Sequence, residues 1–158
     1  ISSRIVILRN FLPRSMILDF HSDIRSKKIN DIKLNPKTYF VFYDSKLKIQ
    51  LRINTSTKIE YKNKTAKTAW NNTKIMSRKC YLTQYSPSSV INSFTDGLPY
   101  HLIGKEPSLI ESEKGYTNFA VISSKIKSID WLHLSSNGHR RIKFTIKNKN
   151  VYHQWIAP

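Results

Sequence analysis

Around Ile49 to Ile53 apolar and polar residues alternate: Leu47, Ile49, Leu51 and Ile53 fall on one side, Lys48, Gln50 and Arg52 on the other. A period of two puts successive side chains on opposite faces of a pleated strand, so Lys46 to Tyr61 reads as a strand with one buried face. The aromatic run Thr38 to Asp44 just before it reads as another strand. Near the start, Arg4 to Arg9 is a β-branched, apolar run between two arginines, the pattern of a strand buried on both faces. Ser15 to Ser22 follows the turn at Pro13-Arg14 and carries Met16, Leu18 and Phe20, which predicts a hairpin. Ser26 then offers an N-cap, and Ile29, Ile32 and Leu34 continue at helical spacing until Asn35-Pro36 ends the turn.

Lys64 to about Gln84 contains Ala66, Ala69, Trp70, Ile75 and Tyr81 with no glycine or proline, which predicts one or two helices. Residues 85–115 gather Pro87, Asp96-Gly97, Pro99, Gly104 and Pro107 and read as a long irregular stretch, functional or mobile. Thr117 to Leu134, Arg140 to Lys147 and Val151 to Ile156 are the expected closing strands, with turns at Asn137-Gly138 and at 148–150. Many strands on short turns, one early helix and a helical insertion favour a mainly β fold with a few helices, an antiparallel barrel either closed or split. A parallel sheet would need a longer crossover between each pair.

Composition adds bounds. At 158 residues, 1–158 reads as a single domain, and 39% hydrophobic with 11% aromatic residues is enough to build a core. Cys80 is the only cysteine, which excludes an intramolecular disulfide and an all-cysteine zinc site and suits a reducing, cytoplasmic location. No apolar run approaches the ~20 residues of a membrane helix, so no membrane partner is expected. The formal charge of +17 attracts polyanions. The lysines are spread along the whole chain, however, which suits a solvated basic surface better than a nucleic-acid patch. The nucleic-acid alternative would be a basic barrel using Tyr39, Phe40, Phe42 and Tyr43 as stacking platforms.

The strongest candidate for chemistry is Arg25-Ser26-Lys27-Lys28 at the predicted helix start. The free N–H groups and dipole of a helix N-terminus favour an anion, and three cationic side chains stand beside it, so a phosphate fits. His21, His133 and His139 show no metal-ligand spacing.

Arg4 to Arg9, then Phe20-His21-Ser22-Asp23, Arg25-Ser26-Lys27-Lys28, Asn35-Pro36 and Gln50-Leu51-Arg52-Ile53, in this order, resemble the FMN-binding region of the pyridoxamine 5′-phosphate oxidase family. The likeness continues in Trp131-Leu132-His133-Leu134 and Gly138-His139-Arg140-Arg141 and ends at Trp155-Ile156-Ala157-Pro158. The sequence closely resembles the less characterised, oxidase-related flavoprotein branch of that family.

The resemblance implies an FMN-binding split β-barrel, antiparallel and Greek-key-like, that forms a homodimer with FMN at the interface. It implies oxidoreductase activity on a small, phosphorylated substrate. Arg4, Ile5, Val6, Ile7, Leu8 and Arg9 would run along the flavin, with Arg4 and Lys28 on its phosphate and Arg25, Ser26 and Lys27 around it. His21 and Ser22 would touch the cofactor, Gln50 would hydrogen-bond the ring, and Lys143 or Arg141 would add a basic contact. Arg140, Trp70 and Lys74 would face the substrate. By pattern alone, Gln50 and Arg52 lie on the polar face of a strand and would simply meet solvent, and Trp70 would be a core aromatic.

The sequence also departs from the family. Arg9 stands where the family's oxidases place a substrate-contacting lysine, Trp70 and Lys74 fall near a tyrosine and an arginine, and the chain begins at what would be the second barrel strand. These changes leave FMN binding better supported than oxidase specificity, so an FMN-dependent redox protein for another small molecule is the main alternative.

Overall fold

The computed structural model describes residues 2–148 and 150–158. In chain order its elements are β1 (Leu8–Leu12), β2 (Ile17–Asp23), α1 (Lys27–Leu34), β3 (Lys37–Asp44), β4 (Ile49–Glu60), α2 (Lys64–Asn71), α3 (Ile75–Arg78), α4 (Leu109–Glu113), β5 (Phe119–His133), β6 (Arg140–Lys147) and β7 (Asn150–Trp155). The strand pairings are all antiparallel.

The spine is β5, fifteen residues long. One edge of it pairs with β4 from Val121 to His133; along the other edge, its first half pairs with β2 and its second half with β6. β1 extends β2, β3 extends β4 and β7 extends β6. Among the described residues no pairing joins β1, β3 and β7 to one another, so the sheet curls without closing. The curl brings Phe20 of β2 and Phe40 of β3 edge to face, ring centroids 6.0 Å apart, although these strands are not neighbours.

Helix α1 fills the gap this leaves. Ile29 and Ile32, three residues apart and so on one helical stripe, are buried with Phe20, Ala120 and Ile122, and Phe40 and Ile59 pack against them. Leu18, Ile53 and Ile126 continue the interior. The other face of β5 is covered by the helical insertion, where Trp70 and Tyr81 pack on Phe119 and Val121. Alternate residues of β5 therefore face two different cores, which is why this stretch of sequence is apolar without a break.

Three expectations are corrected. Pairing of the first strand starts at Leu8 and runs to Leu12, and that strand is exposed along its length instead of buried on both faces. Its apolar residues belong to an edge strand with one partner, which leaves Ile5, Ile7, Leu8, Phe11 and Leu12 in the open. The strand expected from Lys46 starts at Ile49, because the Asp44 carboxylate accepts hydrogen bonds from the N–H groups of Lys46 and Leu47, both 2.9 Å, and fixes a turn over 45–48.

The third correction is Trp70, placed by resemblance against a substrate, which is 0% exposed. Its Nε1 donates to Glu113 Oε1 at 3.0 Å, and the Arg78 guanidinium lies 4.7 Å from its ring centroid while donating to the same carboxylate oxygen at 2.6 Å. Trp70 is a core anchor for the insertion. Trp70→Ala is accordingly expected to cost about 3–5 kcal/mol in urea unfolding; a cost under about 1 kcal/mol would contradict this packing role.

Candidate functional site

The chain turns from β2 into α1 at Ser22 to Lys28. Ser26 has the extended backbone of an N-cap (φ −70°, ψ 147°), yet its hydroxyl makes no capping hydrogen bond. Instead the Lys28 Nζ donates to Ser22 Oγ at 3.0 Å and to Ser26 Oγ at 3.1 Å, and the two hydroxyls lie 3.2 Å apart. Both serines are buried. The first N–H groups of a helix have no intrahelical acceptor, and no acidic residue stands in the first turn of α1.

Burial, and then the charge of Arg4, push Lys28 below the usual lysine range, with Asp23 opposing. Arg4 reaches the same place from the N-terminal segment, its Nη2 3.2 Å from Asp31 Oδ2 on α1. Lys28, two hydroxyls and the charge of Arg4, itself paired with Asp31 one turn further along α1, thus gather at a helix start whose first turn has no acidic residue. This is a donor set that a phosphate group satisfies.

Arg25 does not present a free cation: its Nε and Nη2 donate to the Asp23 carboxylate at 3.0 and 2.7 Å, and Nη1 and Nη2 both donate to the Thr83 carbonyl at 3.1 Å. The hydrogen bonds that Arg25 gives to Asp23 raise its pKa further. Arg25 thus ties the end of β2 to the helical insertion, and its expected phosphate contact is replaced by this clamp. Lys27 is exposed on the first turn. Val6 packs toward the α1 core, whereas Ile5, Ile7, Leu8 and Arg9 are exposed. A register shift between Leu8 and Asn10 sets Arg9 out of the β1–β2 ladder.

His21 points to the opposite face of β2 from Ser22, with its ring edge-on to Phe119 at 4.8 Å. Burial, then the nearby Arg9, lowers its pKa to about 4, so it is neutral at pH 7.

Gln50, Arg140 and Lys143 lie elsewhere. Gln50 pairs with Leu132 and Arg140 with His133, and Lys143 faces Asp130, all at the far end of β5, whereas Ser22 pairs with Ala120. Their partners on β5, Asp130, Leu132 and His133, lie well over half the strand away from Ala120, about 30–40 Å along it at a rise of ~3.3 Å per residue. Lys74 is exposed just before α3. Gln50 and Arg52 are half-buried, so the solvent-facing reading of that strand face is only partly met. Of the aromatics considered for base stacking, Phe40 and Phe42 turn inward and stack on each other at 6.3 Å, leaving Tyr39 and Tyr43 exposed.

Two features went unread in the sequence. Thr83 holds Arg25, and Asp130 pairs with both Arg52 and Arg141. The Arg25–Thr83 and Arg52–Asp130 contacts join segments far apart in the chain, and Asp130–Arg141 crosses between two paired strands, so residue spacing carries no signal for them.

Residues 2–60 match the family model described as the pyridoxamine 5′-phosphate oxidase FMN-binding domain. The match runs from the N-terminal segment through β4 and so includes both the α1 start and Gln50. No curated protein matches the chain. Among solved structures, the fold is similar to that of a pyridoxamine 5′-phosphate oxidase-related, FMN-binding protein from Nostoc punctiforme, with a TM-score of 0.78 at 18% identity over 98% of this chain and 80% of that one. It is also similar to PhzG from Burkholderia lata, solved in complex with tetrahydrophenazine-1-carboxylic acid, with a TM-score of 0.70 at 11% identity over 99% of this chain and 75% of that one. The architecture is therefore the split-barrel fold of these structures, here with an open sheet. No helix among the described residues is long and apolar enough to cross a membrane.

The lowered pKa of His21 has a measurable consequence. Its folded value of about 4 lies below the ordinary 6.5, so the unfolded chain binds the extra proton between them. The stability associated with neutral His21 is complete above about pH 6.5 and falls as pH drops toward 4. Melting temperatures across this range should decline less steeply for His21→Gln than for the parent; parallel curves would contradict the half-buried, neutral histidine.

Proposed function

We propose that this chain is an FMN-binding flavoprotein whose phosphate site is the start of α1, and that it acts as an oxidoreductase on a small molecule. The observation that carries this reading is the buried Ser22–Ser26–Lys28 cluster beside Arg4, which falls within the segment matching an FMN-binding family model. Lys28, Arg4, the two hydroxyls and the helix N–H groups hold the phosphate, while Lys27 adds charge from the surface. Residues 5–9 run along the ring. The exposed Ile5, Ile7 and Leu8 shield it from water.

Bound FMN supplies hydride and electron transfer at its N5 position. The chain's part is to anchor the phosphate, orient the ring and leave one side open to the donor. A donor other than pyridoxamine phosphate is favoured, since Trp70 is sealed in the core and Arg9 replaces a lysine.

One chain does not bring all its candidate residues to one flavin, because Gln50, Arg140 and Lys143 sit at the far end of β5. They serve the same cofactor if two copies pair, each giving its α1 start to one flavin and its β4–β6 end to the other. The exposed apolar row along the N-terminal segment and β1 supports pairing, since such a surface is uncommon on a monomer.

Purified protein titrated with FMN should quench flavin fluorescence and show the bound flavin's absorption bands. Lys28→Ala and Arg4→Ala should each weaken FMN about 10- to 100-fold, the range of a charge-assisted hydrogen bond, and leave riboflavin, which lacks the phosphate, unchanged. Variants that bind FMN as tightly as the parent would remove the site.

A further inference from the structure

β4, β5 and β6 set Arg52, Asp130 and Lys143 in one row across the sheet, since Arg52 faces Asp130 and Asp130 faces Lys143. Two positions along, on the same face, Gln50, Leu132 and Arg141 form the next row. Arg141 leans across to the first row: its Nε and Nη2 donate to the two carboxylate oxygens of Asp130 at 3.0 and 2.8 Å. Arg52 Nη2 donates to Asp130 Oδ2 at 2.7 Å, and the Arg52 Nε is buried with no hydrogen-bond partner.

One carboxylate therefore holds two guanidiniums, with Lys143 beside it, and positive charge is left in excess. Exposed ion pairs contribute little, but the Asp130 side chain is only 18% exposed, and the Arg141 contact is bidentate, a geometry that fixes orientation as well as distance. Core packing does not require this arrangement. The apolar interior lies on the opposite face of these strands, where Leu51, Ile53 and Ile129 are packed.

We propose that Asp130 is a positioning residue: it fixes Arg141 and Arg52 beside Gln50, so that this end of the sheet presents a preset pair of guanidiniums to a flavin ring whose phosphate rests on α1 of a second copy. The proposal rests on the composite FMN site described above. Fully reduced flavin carries negative charge on its ring when deprotonated, so a fixed cation beside the ring favours the reduced form over the oxidised one. Arg141 does this only while Asp130 holds it. Without the carboxylate the long side chain regains its rotamer freedom and moves into solvent.

Redox titration of the FMN-loaded protein tests this in a double-substitution cycle. Arg141→Met in the parent should lower the two-electron midpoint potential by about 30 mV, the equivalent of a tenfold loss of reduced-over-oxidised affinity. The same substitution made on Asp130→Asn should move the potential by less than about a third of that. Arg141→Lys, which keeps the charge and loses the bidentate clamp, should behave like Arg141→Met, and it supplies the test should Asp130→Asn not fold. Equal shifts in both backgrounds, no shift in the parent, or a lysine variant with the parent's potential would each overturn the role of Asp130. Any of those results would leave the phosphate site standing, because retention of FMN and its release by Lys28→Ala report on that site separately. A parent protein that takes up no FMN would remove both.

Discussion

The site depends on one constraint, the seating of α1 in the open side of the curled sheet. Ile29 and Ile32 are buried against Phe20, Ala120 and Ile122, and burying two such side chains contributes on the order of 3–6 kcal/mol. With that face committed, the first turn of α1 stays against the end of β2. Lys28, one residue before Ile29, is thereby carried under Ser22, and its ammonium is held by hydroxyls where water would otherwise solvate it. Arg4, paired with Asp31 of α1, adds its charge beside the first turn and its free N–H groups. The hydrophobic contact sets the geometry, and the displaced hydration of Lys28 leaves a donor set suited to an anion.

Much of this was legible in the sequence. Helix α1 was marked by Ser26 at its N-cap and Asn35-Pro36 at its end, and β6 runs over the same residues as its apolar pattern. The basic tetrad was located but one member was misassigned, because nothing in Arg25 itself shows that Asp23 and Thr83 take up its donors. Arg4 to Leu8 misled for a different reason. A β-branched apolar run signals burial in general, and the pattern does not distinguish a core strand from an edge strand whose apolar face waits for a partner. Trp70 was likewise compatible with a site or a core, and the Arg78–Glu113 contacts that decide it join segments far apart in the chain.

The two ends of β5 show how the fold divides the work. One end gathers hydroxyls and cations through Ser22, Ser26, Lys28 and Arg4, the donors assigned above to a phosphate; the other gathers an amide and two guanidiniums on one carboxylate through Gln50, Arg52, Asp130 and Arg141, the groups assigned above to the ring. A strand of fifteen residues keeps them apart within one chain. A flavin needs both kinds of contact, and in the proposed pairing two copies related by a twofold axis would supply them twice over.

Mixing two defective variants tests that division directly. Lys28→Ala removes the phosphate end and Gln50→Ala weakens the ring end, so each variant alone should bind FMN poorly. After unfolding and refolding together, a mixed pair contains one site with both lesions and one with neither. The account predicts that the mixture regains tight FMN binding in about one quarter of its sites, the fraction expected from random pairing of the two chains in a twofold dimer. A mixture that binds no better than the average of the two separate variants would contradict a flavin site shared between two copies.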